Sequence, residues 1–465
     1  MENKRQFVDG ESRPNARRLV EDFCAVTGVA IVLCVAAWVC SPGVANAQPP
    51  EAVATPPAMP GRPLAVPAPP AGMEVRTFRL EDLEQIALTN NPSLVRAYAL
   101  VSAERGNWVQ VGLPPNPAFG YAGFQLGSGG RAEQHVALVD GELVMGGKLR
   151  LNRAIAEQQI ARAEQNMFAQ QQRVLTDVRV AFYEALLAQR GLQLAEQLLK
   201  IARDGRTTAE RLFKAGETSE VDYLQGEIEV FNSENGLNAA RARHFAAWQT
   251  LLAVMGVPHL PPAILRGDLE AIPAELTWDE TLARLLATSP EIGAAVANVD
   301  RARAALARAR REPVPNVRFQ MGVMQDNGIG GRTDGIVQTL LPLPILNRNQ
   351  GAIRQSEAEL SAAQQGLAQT ELDLQNRLAS VFERYTSAVY RVRRYREAIL
   401  PTAEKSLTQV QRLYSGGEQP FLNLLNAQRT YFQTNNLYLQ SLLDLRTSAA
   451  QIEGMLLSNS LGTVP

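Results

Sequence analysis

The chain is predicted to be an α+β membrane protein in which long helices adjoin a few transmembrane strands. Three observations favour this fold class: an internal twofold repeat, long helical stretches almost free of glycine and proline, and short segments of alternating polarity. The repeat aligns Leu80–Tyr121 with Trp278–Phe319 without a gap. Because repeated units usually pack against their own copies, we expect both halves to contain the same elements in the same order.

The N-terminus has the features of a signal peptide, predicted over residues 1–47. A basic stretch precedes an apolar run from Phe23 to Cys40, and Ala45–Ala47 offers small residues for cleavage. A membrane anchor is the alternative interpretation, because the run is long for a signal. Lipid attachment at Cys40 is disfavoured because the bulky Val39 precedes it.

The segment after the predicted cleavage site is a proline- and alanine-rich linker, predicted over residues 48–77. Such a composition cannot bury a core and indicates an extended tether. All three cysteines of the chain precede this linker. The mature chain is therefore expected to have neither disulfides nor thiolate metal ligands.

The remaining sequence divides into a first repeat, residues 78–275, and a second repeat, residues 276–465. Each repeat is expected to begin with short helices that a proline step interrupts, followed by one β-hairpin and one pair of long helices. We predict hairpins at about 117–144 and 315–343, and long helix pairs at about 148–256 and 350–457.

The long helices carry the second observation. The stretches from Leu149 to Phe213 and from Ala352 to Tyr414 contain a single proline, Pro401. At about 1.5 Å per residue, a helix of some 65 residues spans roughly 100 Å, which no compact domain requires. The closing helix shows two adjacent apolar seams, one from Leu424 through Leu442 to Leu456 and one from Phe421 to Leu439. Two seams favour a closed ring of helices, while an elongated helical bundle is the alternative.

The hairpins carry the third observation. Val317, Phe319, Met321 and Val323 alternate with polar or small residues, which is typical of a strand with two different faces. Strands of about 9–11 residues have the length that spans a membrane. Open strand edges are not tolerated in lipid, so several protomers would have to close the barrel. We expect these four side chains to face lipid.

Several motifs, in the same order in both halves, resemble the TolC-type outer-membrane efflux factors. They are Leu80-Glu81-Asp82-Leu83 with Asn91-Pro92-Ser93-Leu94, Arg211-Leu212-Phe213-Lys214-Ala215-Gly216-Glu217, and Arg412-Leu413-Tyr414-Ser415-Gly416-Gly417-Glu418. The resemblance implies a homotrimer in which each protomer gives four strands to a twelve-stranded transmembrane β-barrel in outer-membrane lipid. The long helices would form an α-helical barrel, a tunnel in the periplasm.

The resemblance also implies partners: a periplasmic adaptor (membrane fusion protein) and an inner-membrane pump of the proton-driven RND type. The segments 143–148 and 341–351 look most like the branch that serves cobalt–zinc–cadmium or copper–silver exporters. The expected function is a passive outer-membrane exit duct for divalent or heavy-metal cations. A multidrug or type I protein-secretion channel is one alternative, and a periplasmic coiled-coil scaffold is another.

No catalytic constellation is visible, and we expect neither enzymatic activity nor a cofactor. The three histidines, His135, His244 and His259, share no metal-ligand spacing. The net charge of −1 gives no electrostatic case for nucleic acid as a partner.

The expected functional positions lie at the helix–turn–helix tips. By the resemblance, the tips Gly216, Glu217, Gly417 and Glu418 contact the adaptor. Acidic residues ring the entrance in well-known members of the family, but the matching positions here are the neutral Asn423 and Asn426. The first repeat offers Asp222 and Gln225 instead. Three copies of Asp222 would concentrate negative charge at the pore entrance and favour cations; the alternative is an ordinary solvated helix-face aspartate.

Overall fold

The computed structural model describes residues 77–126, 132–271, 275–416 and 418–462. The predicted signal peptide lies outside these ranges, as does the predicted linker up to residue 76. The tip residue Gly417 lies outside them as well.

The first repeat contains two short helices, a β-hairpin and two long helices. In chain order its elements are β1 (Thr77–Phe78), α1 (Leu80–Asn90), α2 (Pro92–Val111), β2 (Ala118–Leu126), β3 (Ala132–Leu143), α3 (Lys148–Lys214) and α4 (Glu220–Met255).

The second repeat has the same order of elements, with one interruption in its first long helix. Its elements are β4 (Ile264–Leu265), α5 (Trp278–Thr288), α6 (Pro290–Arg311), β5 (Val317–Asp326), β6 (Arg332–Leu340), α7 (Gln350–Arg394), a π-helix (Tyr395–Ile399), α8 (Leu400–Ser415) and α9 (Phe421–Glu453).

Two of these elements end earlier than the sequence predicts. Strand β6 ends at Leu340, ahead of Pro342 and Pro344, because proline has no N–H group to donate to a strand ladder. Helix α9 ends at Glu453, and Met455 and Leu456 beyond it have left-handed backbone angles, with φ of +56° and +62°.

The corner between α1 and α2 shows how a short polar motif positions helices. The buried Asn91 side chain accepts a hydrogen bond from the Ser93 N–H (2.9 Å), and its amide group donates to the Val254 carbonyl (2.7 Å). Asn91 therefore caps α2 and ties this corner to the end of α4. Pro92 follows at the first helical position, where its missing N–H costs nothing.

The hairpins of the two repeats form one antiparallel sheet in the order β2-β3-β5-β6. Strands β3 and β5 join the repeats, with pairs running from Gln134–Asp326 to Leu143–Val317. Strands β2 and β6 each pair with one neighbour among the described strands. The sheet therefore has two edges whose outer hydrogen-bonding groups are available to another strand.

A large hydrophobic core joins both repeats where the short helices meet the long ones. It includes the fully buried side chains of Leu83, Phe182, Leu251, Leu374 and Leu445, which come from α1, α3, α4, α7 and α9. Each fully buried side chain of this size contributes about 1.5–3 kcal/mol. The two repeats therefore share one hydrophobic core.

The first long helix differs between the repeats. Helix α3 runs without interruption from Lys148 to Lys214, whereas its counterpart contains the π-helix Tyr395–Ile399 followed by Pro401. A proline removes one helical hydrogen bond and favours a local change of helix type. Within the described residues, no helix is both long and apolar enough to cross a membrane.

Candidate functional site

The first tip, between α3 and α4, ends its helix with a glycine in the left-handed region. Gly216 has φ of +75°. Its N–H donates to the Phe213 carbonyl (3.0 Å), and the N–H of Glu217 donates to the Leu212 carbonyl (2.9 Å). This pair of bonds is the Schellman motif, which satisfies the last carbonyls of a helix. A Cβ atom added at Gly216 would have no atom within 4 Å, so the space beside this tip is open.

Asp222 lies in the first turn of α4, which Ser219 caps. Its Oδ2 accepts hydrogen bonds from the hydroxyls of Thr218 (2.6 Å) and Ser219 (3.1 Å), and its N–H donates to the Ser219 hydroxyl (3.3 Å). A carboxylate at this position also interacts favourably with the positive end of the helix dipole. Gln225, one turn later, is half-buried, and its Oε1 has no hydrogen-bond partner among the described residues.

The second tip, between α8 and α9, closes its helix in the same way but begins the next one differently. The Glu418 N–H donates to the Leu413 carbonyl (2.9 Å), as Glu217 does in the first tip. The N-cap of α9 is Pro420, whose side chain cannot accept a hydrogen bond from the first turn of the helix. Asn423 is exposed and donates to the Gln419 side chain (2.5 Å), and Asn426 is exposed as well.

The two helical hairpins touch each other just behind their tips. Buried Gly226 of α4 packs against the ring of Phe421, and a Cβ there would lie 3.6 Å from the ring. One turn further, buried Glu229 forms an ion pair with Arg429 of α9 (3.1 Å). Asp222 and the asparagines therefore stand on separate but joined hairpins. These contacts could not be predicted from the sequence, because neither hairpin motif indicates which face meets the other.

Tyr414 anchors the second tip in a small hydrophobic cluster with Leu407, Phe421, Leu424 and Leu425. Its side chain is 4% exposed, whereas Phe213, its counterpart in the first repeat, is 40% exposed. Burial raises the pKa of the Tyr414 hydroxyl above its ordinary value, and the nearby Asp222 charge raises it further. The hydroxyl has no hydrogen-bond partner among the described residues.

One face of the sheet, called here the uncharged face, has Glu133 as its single charged residue among the described strands, and the other is the charged face. Residues paired across antiparallel strands share a face, and the register places Phe119, Tyr121, Val139, Met321 and Val337 together. The predicted lipid-facing residues Val317, Phe319, Met321 and Val323 all lie on this face. The opposite face holds every charged residue of the four described strands except Glu133, beside a turn: Asp140, Glu142, Arg318, Asp326, Arg332 and Asp334.

The charged face is organised by pairs that neighbouring strands contribute. Arg318 forms a bidentate pair with Asp140, with nitrogen–oxygen distances of 3.0 and 2.7 Å. Asp326 accepts a hydrogen bond from Gln134 (2.7 Å). Such ladders stabilise a sheet face that water or a polar lumen covers. The alternation in β5 predicted two faces, but it did not indicate the partner of Arg318.

No cluster of three or more histidine, cysteine, aspartate or glutamate side chains in the described ranges could hold a metal ion. Of the histidines, His135 forms a hydrogen bond through Nδ1 to the Tyr121 hydroxyl (2.6 Å). This contact joins β2 and β3 on the uncharged face of the sheet.

The outer membrane efflux protein family matches residues 83–257 and 281–456, one match in each repeat. The cobalt-zinc-cadmium resistance protein CzcC of Cupriavidus metallidurans is 26% identical over 379 residues, which cover 81% of this chain and 89% of CzcC. The alkaline protease secretion protein AprF of Pseudomonas aeruginosa is 23% identical over 303 residues, 62% of each chain. A crystal structure of CusC, concerned with folding and transmembrane channel formation, shares the fold with a TM-score of 0.68 at 17% identity, covering 85% of this chain and 96% of CusC.

Proposed function

Because the chain belongs to the outer membrane efflux protein family, we propose that it is the outer-membrane exit duct of a tripartite efflux system. The family membership confirms the resemblance to TolC-type efflux factors. A member of this family is an outer-membrane transport duct rather than an enzyme. The energy for transport would come from an inner-membrane pump of the RND type, reached through a periplasmic adaptor.

The separation of charge across the sheet is the observation that carries this proposal. A face without charged residues suits lipid, and a charged face suits a water-filled lumen. Four strands with two open edges cannot close on themselves, so we propose that three copies form a twelve-stranded barrel. The long helices of the three copies would then form an α-helical tunnel in the periplasm.

Adjacent residues of β6 test the lipid-facing assignment. Val337 lies on the uncharged face and is 78% exposed, whereas Gln338 lies on the charged face. A lysine on a lipid-facing strand costs up to about 2–4 kcal/mol. We expect Val337→Lys to reduce the amount of assembled trimer in outer-membrane fractions, while the matched Gln338→Lys is tolerated. Equal yields of the two variants, or recovery of the parent protein with soluble periplasmic protein, would favour the scaffold alternative.

We propose that the exported solutes are divalent or heavy-metal cations. The support is the similarity to CzcC, named for cobalt-zinc-cadmium resistance. The similarity to AprF, named for alkaline protease secretion, keeps protein export as the second candidate. Deletion of the gene should sensitise cells to cobalt, zinc or cadmium, and re-expression should restore resistance. Unchanged metal sensitivity together with loss of a secreted protein would favour the second candidate.

Asp222 is the proposed charged position at the pore entrance, with Gln225, Asn423 and Asn426 beside it. The Asp222 carboxylate also holds the capping segment by accepting from the Thr218 and Ser219 hydroxyls, so one substitution cannot separate the two roles. Asp222→Asn removes the charge and keeps an oxygen that can accept from these hydroxyls, while Ser219→Ala weakens the cap and keeps the charge. In planar bilayers we expect Asp222→Ala and Asp222→Asn to weaken cation selectivity or divalent block, and Ser219→Ala to leave both unchanged.

The proposed adaptor contact consists of Gly216, Glu217, Gly417 and Glu418. The open space beside Gly216 and the exposure of both glutamates support it. We expect Glu217→Lys with Glu418→Lys to reduce co-purification of the adaptor. Glu220→Lys, at an exposed position in the first turn of α4, is the matched control and should retain the adaptor.

A further inference from the structure

The structure fixes which residues of the two repeats correspond where each hairpin joins its long helix. Helices α3 and α7 begin at Lys148 and Gln350, and each follows an N-cap residue in the left-handed region, Gly147 or Asn349. Residues of β3 and the following junction therefore correspond one-to-one with residues of β6 and its junction. Upstream, the gapless alignment of the two repeats relates the corner between α2 and β2 to the corner between α6 and β5.

Inside one chain, the junction between β3 and α3 of the first repeat lies on the corner between α6 and β5 of the second repeat. Asn316 accepts hydrogen bonds from the Met145 N–H (3.2 Å) and from buried Lys148 (3.0 Å). A Cβ atom added at Gly146 would lie 3.0 Å from Val314. Strands β3 and β5 pair next to these contacts, so the two repeats are in contact from the strands to the start of α3.

The equivalent boundary beyond the second repeat is open. Residues 113–119 before and within β2 are all exposed, and the segment 341–348 after β6 is exposed throughout. This segment includes Leu343, Ile345 and Leu346, of which Leu346 is 89% exposed. An apolar segment of this kind beside an unpaired strand edge marks an interaction surface.

We propose that the segment 341–348 of one copy lies on residues 113–119 of the next copy and that the seam between copies repeats the β3–β5 register. The inference rests on the proposed function and adds to it the residue pairing between subunits. The internal pairs Leu138–Gly322 and Val136–Met324 have these counterparts: Leu340 with Phe124, and Gln338 with Leu126.

The occupant is a second copy of this chain because the interface is head-to-tail. The internal boundary joins the downstream side of one repeat to the upstream side of the following repeat. One copy leaves a downstream side free at β6 and an upstream side free at β2. Two different, complementary surfaces on one molecule generate a ring when the rotation between copies closes.

A polar pair among the helices supports the same register. Inside the chain, Arg308 of α6 donates to the Asn152 side chain of α3 (2.8 Å). The counterparts across the seam are Gln110 of α2 and Arg354 of α7, which are both exposed. In this pairing the arginine comes from the long helix α7 and the side-chain amide from the short helix α2, the reverse of the internal pair, so an arginine again faces a side-chain amide.

Disulfide trapping tests the register in a background where Cys24, Cys34 and Cys40 are changed to alanine. Directly opposed cross-strand residues have Cβ atoms about 4.5–5.5 Å apart, whereas diagonal neighbours lie about 7–8 Å apart. Only the first spacing is near the range that a disulfide requires. Four introduced cysteines give two in-register and two slipped double variants: in register, L340C/F124C and Q338C/L126C; slipped, L340C/L126C and Q338C/F124C.

We expect the in-register variants, on mild oxidation of the full-length protein in outer membranes, to shift from monomer to covalent trimer on denaturing gels. The slipped variants should stay at the level of single-cysteine proteins. Val136→Cys with Met324→Cys is the intrachain control for a correctly formed sheet. Asn116→Cys with Arg348→Cys, the counterpart of the Val314–Gly146 contact, is a second test away from the strands.

Two results would overturn the inference while leaving the proposed trimer intact. One is cross-linking of the slipped variants in place of the in-register ones. The other is a parent protein that sediments as a trimer but yields no cross-link at either the strand or the corner positions. A parent protein that sediments as a monomer would instead contradict the proposed trimer, and the register with it.

Discussion

Gly256 closes helix α4 at a point where its backbone touches another element. Its φ is +75°, in the left-handed region that favours glycine. A Cβ atom added there would lie 2.8 Å from the Asn90 carbonyl oxygen and 3.1 Å from the Asn91 Cα. Both neighbours are backbone atoms, so the corner between α1 and α2 would have to move in the Gly256→Ala variant.

The loss of stability expected for Gly256→Ala is the sum of two separate costs. A non-glycine residue in the left-handed region costs about 1–2 kcal/mol, and overpacking against a fixed neighbour costs about 1–3 kcal/mol more. Gly216 has the same φ of +75° but nothing within 4 Å of an added Cβ. Gly216→Ala therefore has the conformational term alone, and the difference between the two variants isolates the contact with the corner.

Hydrogen exchange measured by mass spectrometry suits this comparison, because it reports local opening and does not require reversible unfolding of the whole protein. In Gly256→Ala, a loss of about 2–5 kcal/mol corresponds to exchange about thirtyfold faster or more at the end of α4 and at the α1–α2 corner. In Gly216→Ala, the change should stay near tenfold and remain confined to the tip. Equal changes in the two variants, or an unchanged α1–α2 corner in Gly256→Ala, would refute the packing argument.

Three further changes have definite expected outcomes. The pKa of Tyr414 is raised in the folded tip, so the neutral hydroxyl stabilises the tip fully below the ordinary tyrosine pKa of about 10, and this stabilisation is lost as pH rises through the pKa of the folded state. Tyr414→Phe should remove this loss of stability at alkaline pH without lowering stability at neutral pH, as measured by hydrogen exchange of the tip against pH. Asn91→Ala should cost about 1–3 kcal/mol and speed exchange in the first turn of α2, which a matched Asn90→Ala should not. Arg446 donates to the carbonyls of Leu269 (3.1 Å) and Asp268 (2.5 Å), so Arg446→Met should increase proteolysis of the 266–271 segment between the repeats while the core helices stay protected.

Periodicity predicted the parts of the fold that follow from local pattern. The alternation around Phe319 and Met321 predicted a strand with two faces, and β5 has them. The apolar seams of the closing helix predicted burial on both sides, and Leu424, Leu442 and Phe432 of these seams are buried. Such patterns can be read from sequence because each residue's environment is set by its spacing along one element.

Contacts between elements far apart in the chain could not be predicted in the same way. The motif at 412–418 indicates a helix end, but it does not indicate that Tyr414 is buried while its counterpart Phe213 is exposed. Tyr414 packs against Phe421, with ring centroids 5.6 Å apart, and Phe421 lies against Gly226 of the first hairpin. Likewise, Pro401 was visible in the sequence, but the π-helix before it depends on how the backbone accommodates the missing hydrogen bond.

The asymmetry between the tips has a structural basis as well as a difference in charge. The first turn of α4 is held by side chains of its own segment, since Asp222 accepts from Thr218 and Ser219. The first turn of α9 has no side-chain cap, so its position depends on the packing of Phe421 and on the Glu229–Arg429 ion pair behind it. A binding contact that displaced the second tip would have to disrupt its packing against the first hairpin. A binding contact that displaced the first tip would also have to break the side-chain hydrogen bonds that cap α4. The replacement of Asp222 by Asn423 between the repeats therefore changes both the charge of the tip and how firmly each tip is held.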